Sequence, residues 1–175
     1  RNSRDENKRI KNGVIPEEWE KPENKSKLAQ KDIDADWTKK NGERHFGYKD
    51  HVKCDADSKL ITNYSVTSAS VHDSQRCLVF IGQEDEVLYA DSAYSGKPIA
   101  LALPENCKNQ ICEKGYRNSP LTSEQKMNNR RKSRIRCRIE QIFGFMTGAM
   151  HGITIRSIGI TRAWMNIGIT NLVYN

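Results

Sequence analysis

Two acidic side chains sit in patterns that suit divalent-cation chemistry. Asp91 ends the run Val87-Leu88-Tyr89-Ala90-Asp91 and precedes Ser92-Ala93-Tyr94-Ser95-Gly96, so an apolar stretch stops on a carboxylate and breaks into small, turn-forming residues. The run follows Glu84-Asp85-Glu86 and predicts a strand buried on both faces. Ser95-Gly96 before Pro98 predicts a turn into a helix with Pro near its first position. An acid at the carboxyl end of such a strand lies where open α/β sheets place their ligands. Asp is also common in turns, and a plain capping role stays equally open for this stretch alone.

The second acid, Glu140, lies in Arg134-Ile135-Arg136-Cys137-Arg138-Ile139-Glu140-Gln141-Ile142-Phe143-Gly144. Ile135, Ile139, Ile142, Met146 and Met150 recur at three- and four-residue steps and define the core face of a basic amphipathic helix. Arg136, Glu140 and Thr147 fall on a neighbouring stripe at its edge. An Arg136–Glu140 ion pair within the helix would contribute only a few tenths of a kcal/mol and would need no function.

Together these stretches resemble a known family. The Tyr-Ala-Asp-Ser-Ala-Tyr run at residues 89–94, the Arg136-xxx-Glu140 helix with Phe143-Gly144, and the earlier blocks Trp37-Thr38-Lys39-Lys40-Asn41-Gly42 and Phe46-Gly47-Tyr48-Lys49 are similar to DDE transposases of bacterial insertion sequences, nearest to the insertion sequence 5 group. The likeness runs over essentially the whole chain. It implies an α/β, ribonuclease H-like mixed sheet flanked by helices, on which three acids hold two Mg²⁺ or Mn²⁺ ions. Asp91 matches the second acid and Glu140 the third, with Arg136 beside them. Related families carry a Tyr and a Lys on the same helix, where this chain has Ser133 and Thr147.

The first acid of the triad has no match. The resemblance puts it on a strand preceding the segment at Arg1, which implies that the first, central strand is missing and that the chain is the carboxyl-terminal part of a longer, here incomplete and inactive, enzyme. It further implies DNA partners, namely terminal inverted repeats and target DNA, a homodimer on DNA, and a cytoplasmic, nucleoid-associated location in bacteria.

Composition sets the frame for these residues. A chain of 175 residues supports one domain with a real core. The net charge of +7, pI near 9.2 and mean hydropathy of −0.79 favour a soluble protein with an anionic partner, nucleic acid first. No apolar run is long enough to cross a bilayer, and no membrane partner is expected. The scattered Cys54, Cys77, Cys107, Cys112 and Cys137 read as reduced thiols. His45, His51, His72 and His151 lack metal-site spacing and read as surface or hydrogen-bonded scaffold.

Along the chain, residues 1–33 read as a polar loop segment with one helical turn near Glu17-Glu18-Trp19-Glu20, and the resemblance implies that it lies between strands one and two. Residues 34–175 read as the catalytic domain. Asp34 to Gly42 is a polar approach with a turn at Asn41-Gly42. Phe46, Tyr48 and Val52, then Leu60, Thr62, Tyr64 and Val66, alternate as an antiparallel hairpin. Asp34, Asp36 and Asp50 are candidate replacements for the absent acid, although carboxylates flanking strands near lysines are usually solvated. A short helix at residues 77–81, the Asp91 strand, a helix at 98–103 and an edge strand near 109–113 follow.

Thr122 and Gln125 form a capping box opening the long helix. Its first half carries Lys126, Arg130, Arg131, Lys132, Arg134, Arg136 and Arg138, a density that favours phosphate contact over a merely solvated face. Ile160, Trp164, Ile167 and Leu172 mark a closing helix packed on the sheet. Two other readings stand beside the transposase: a DNA-binding remnant without catalysis, for which the basic helix suffices, and a nuclease of the same fold, for which the acids suffice.

Overall fold

The computed structural model describes residues 1–40, 42–152 and 154–175, and the chain divides into two units. The first comprises residues 1–51, 64–71 and 153–173, and the second residues 52–63, 72–152 and 174–175. The expected turn at Asn41-Gly42 includes Asn41, which lies outside the described residues.

In the first unit, α1 (Arg4–Lys11) is followed by short helices α2 (Glu17–Glu20) and α3 (Lys25–Leu28). The helical turn at Glu17–Glu20 is where the sequence puts it. The rest of residues 1–33 departs from the expected loop, because Ser3 and Glu6 form a reciprocal capping box that starts α1. Its inner face is polar: Asn7 is buried and donates to the Ala35 carbonyl at 3.0 Å and to Asp36 Oδ1 at 2.8 Å. Trp19 is buried, donates to Glu6, and lies under the Lys31 ammonium.

Strands β1 (Asp36–Lys40), β2 (Glu43–Cys54) and β3 (Ile61–Ser68) form one sheet in that order. The stretch expected as a polar approach is therefore a strand. β1 runs antiparallel to β2 with Trp37 opposite Phe46, their rings 5.3 Å apart. β2 and β3 fall on the two runs read from sequence, but the inward set of the second differs. Leu60 stays in the turn, where its carbonyl accepts the Asp55 N–H and Lys59 takes a positive φ of 63°, and Leu60 and Thr62 are exposed while Ile61 and Val66 are buried.

Helix α7 (Ile160–Tyr174) buries Ala163 and Ile167 against Val66, with Tyr48, Tyr64 and Ile155 around them. Its expected core face is half right. Ile167 is buried, but Trp164 is 40% and Leu172 73% exposed, because the inward stripe runs through Ala163, Ile167 and Asn171 instead. Asp32 and Asp34 set its amino end: Gly159 N–H donates to Asp32 Oδ2 and Ile160 N–H to Asp34 Oδ2, satisfying donors that the helix leaves open.

In the second unit, α4 (Ser74–Phe80), β4 (Val87–Leu88), α5 (Lys97–Ala102), β5 (Lys108–Asn109) and α6 (Ser123–Gly148) follow one another. β4 and β5 form a separate parallel pair, so the fold is mixed α/β. The strand before Asp91 is shorter than its apolar run predicts, two residues long and half-buried rather than enclosed on both faces. Ile142 and Met146 of α6 are buried, as are Ile99 and Ile111. Thr122 and Gln125 make the predicted capping box.

Candidate functional site

The chain past β4 stays tethered to the chain past β5, with Gln110 N–H donating to the Leu88 carbonyl at 2.8 Å and Cys112 N–H to the Ala90 carbonyl at 3.0 Å. These bonds fix the backbone one residue ahead of Asp91. Asp91 then begins a single 3₁₀ turn at Ser92–Tyr94, and its Oδ1 accepts the Ser92 N–H. The capping role is real, and it leaves Oδ2 accepting no hydrogen bond among the described residues. Asp91 is exposed. Tyr94, closing the same turn, has its phenol pushed up to about 12 by burial and then by the charges of Asp73, Cys77 and Asp91.

Across this unit, Glu140 sits in the middle of α6 with its side chain 61% exposed and accepts from Arg136 at 2.8 Å, one turn earlier. Burial alone would lower the Arg136 pKa. The Glu140 hydrogen bond and charge, and then the charge of Asp91, raise it instead. One guanidinium thus answers to both acids. Its Nε is buried without a partner. The Arg-before-Glu order is also the weaker orientation for an i,i+4 pair, so helix stability does not account for it.

Two exposed carboxylates offer hard oxygen donors of the type Mg²⁺ accepts. Among the described residues no group of three or more His, Cys, Asp or Glu side chains converges as a metal site. The proposed replacements for the missing acid are occupied elsewhere, and they are not simply solvated. Asp34 caps α7, Asp36 is 6% exposed between Asn7 and Lys11, and Asp50 is held with Asn171.

The basic run divides. Lys126, Arg130, Arg131 and Arg134 are exposed along α6. Lys132, expected to contact DNA, instead donates to the Ile111 carbonyl at 3.0 Å and is 16% exposed, because its four-residue step from Asn128 turns it toward the segment after β5. Arg138 lies 3.8 Å from Asp57. Asn129, which sequence reading passed over, braces the same segment by accepting the Glu113 N–H and donating to its carbonyl. Its only signal is its position one step from the basic stripe.

His51 is buried against Thr67 and His72 meets Ser74, as scaffold histidines should. All five cysteines are free thiols.

Residues 17–175 match the family model described as the transposase DDE domain. The chain belongs to the DDE transposase family. It is 34% identical over 117 residues to the transposase for insertion sequence element IS1106 of Neisseria meningitidis serogroup B, across 65% of this chain and 40% of that protein. The chain thus matches less than half the length of this curated relative. No solved structure matches significantly. Among the described residues no helix of this transposase domain is long and apolar enough to cross a membrane.

Proposed function

We propose that this chain carries the second and third acids, Asp91 and Glu140, of a centre that cleaves and joins DNA strands for an insertion sequence, on a ribonuclease H-like sheet. The observation that carries this is Arg136, which pairs with Glu140 and is also stabilised by the Asp91 charge. Family membership supports it over a nuclease of the same fold.

In this reading Ser92 N–H holds one Asp91 oxygen and leaves the other outward, while Arg136 holds Glu140 upright on α6 or engages a phosphate. Asp91 and Glu140 would hold divalent ions, Mg²⁺ or Mn²⁺ and two in number, which would supply neutralisation of the charge developing at phosphorus. Lys126, Arg130, Arg131 and Arg134, with Arg138 behind them, hold the DNA backbone. The partners are terminal inverted repeats and target DNA, and the working form is a homodimer on DNA in the bacterial nucleoid.

A centre of this kind uses a third carboxylate, and among the described residues no group of three such side chains converges. The test compares Mg²⁺-dependent nicking by this chain and by a polypeptide extended along the reading frame at its amino end. Activity only in the longer form, lost in Asp91→Asn and Glu140→Gln, is expected. If the short chain nicks equally fast and Asp91→Ala abolishes it, an acid within the chain completes the site. If neither nicks but both bind DNA, the non-catalytic reading prevails. The exposed basic face favours that reading next.

A further inference from the structure

Tyr89 and Gln110 are the residues that directly follow the two parallel strands, β4 and β5. Facing them, α6 presents Asn128, Arg131, Lys132 and Ile135, which are spaced i, i+3, i+4 and i+7 and so share one stripe. These six residues line a depression of about 440 Å³. That is the size range of small-ligand sites, and it lies at the carboxyl ends of parallel strands, where open α/β folds place ligands.

The polar groups there divide into those the fold uses and those it leaves open. Lys132 is engaged by the Ile111 carbonyl, and the neighbouring Asn129 amide by both backbone groups of Glu113. The side-chain amides of Asn128 and Gln110 make no hydrogen bond among the described residues, and Arg131 is exposed. Two open amides, a phenol ring, an isoleucine and a guanidinium form an unusual set. Amides pair with the donor and acceptor edge of a base, aromatic and aliphatic side chains cover its face, and Arg takes the phosphate.

We propose that this depression binds one unpaired nucleotide of a DNA strand, with the base between Tyr89 and Ile135, its edge read by Asn128 and Gln110, and its phosphate on Arg131. Tyr89 lies two residues before Asp91, and Ile135 immediately precedes Arg136, so the bound nucleotide adjoins the acids in sequence on both walls. The proposal rests on DNA being the substrate. It requires no metal and no cleavage, and so can fail while the strand-transfer reading stands.

The test is fluorescence anisotropy with short single-stranded oligonucleotides, in EDTA, comparing a mixed-base strand with an abasic strand of equal length and charge. The mixed-base strand should bind about tenfold tighter, the discrimination expected of a good base contact. Asn128→Ala and Gln110→Ala should remove that preference without changing abasic binding. Arg131→Ala should weaken both strands alike and make the salt slope shallower by about 0.7, the share of one phosphate contact on a single strand. Thermal unfolding of each variant confirms that it is folded. Equal binding of the two strands by the unaltered chain, or a loss in Asn128→Ala that falls equally on both, overturns the proposal.

Discussion

Under the proposed reading of the site, Arg136 is where stability and function separate at the level of single residues. An i,i+4 pair contributes about 0.2–0.5 kcal/mol, less in the Arg-before-Glu order, and the buried unpartnered Nε of the half-buried Arg136 opposes even that. Arg136→Ala should therefore change thermal stability by less than about 0.5 kcal/mol while abolishing nicking by a competent, extended polypeptide. A large drop in melting temperature would make Arg136 a structural residue. Asp50 behaves in the opposite way. Burial pushes its carboxyl up to about 6, partly offset by Asn171, and its Oδ2 is buried without a partner. The folded form therefore holds a proton that the unfolded chain has lost. The stabilisation is complete below the unfolded pKa near 4 and disappears as pH rises through about 6. Urea midpoints measured from pH 4 to 7 should show a decline in the unaltered chain that Asp50→Asn removes. Glu6 and Asp36, both lowered, give slopes of the other sign and are common to the two proteins. Sequence could not show this, because Asp50 is enclosed only when Asn171 of α7 arrives.

At the scale of elements, local chemistry was legible where it coincided with apolar periodicity. The Thr122–Gln125 box precedes a helix whose Ile142 and Met146 face inward, and both signals agree. Ser3-Arg4-Asp5-Glu6 carries the same box, yet α1 buries Asn7 through hydrogen bonds, so no apolar stripe announces it. β4 shows the converse: an apolar run was present, but only two residues find a parallel partner. Two substitutions test these local causes. Thr122→Ala should cost about 1 kcal/mol, the usual worth of a helix cap, with helicity lost from the amino end of α6. Gly168→Ala should cost about 1–3 kcal/mol by overpacking, since a Cβ there would clash with the hydroxyl end of Tyr64, whose ring packs in turn, tilted, on Trp164 with centroids 5.5 Å apart. Thermal unfolding measures both. A neutral Gly168→Ala would mean that Tyr64 swings aside freely.

For the whole molecule, the net charge of +7 resolves into particular cations, and this fixes how DNA binding should respond to salt. Four residues, Lys126, Arg130, Arg131 and Arg134, are exposed on α6, whereas Lys132 is held by a carbonyl and Arg138 lies near Asp57. Each neutralised phosphate contributes about −0.9 to the slope of log K against log salt on duplex DNA, so four contacts give about −3.6 and all six about −5. The burial pattern favours the lower figure. Binding to duplex should be weak and nearly indifferent to sequence, since these side chains carry charge but form no groove-reading element. Anisotropy titrations between 50 and 200 mM salt would measure the slope. Arg130→Ala should make it shallower by about 0.9, and Lys132→Ala should leave it unchanged while lowering stability, because the Ile111 carbonyl loses its donor. Salt-independent binding, or strong preference for one duplex, would show that contacts other than this basic face carry the affinity.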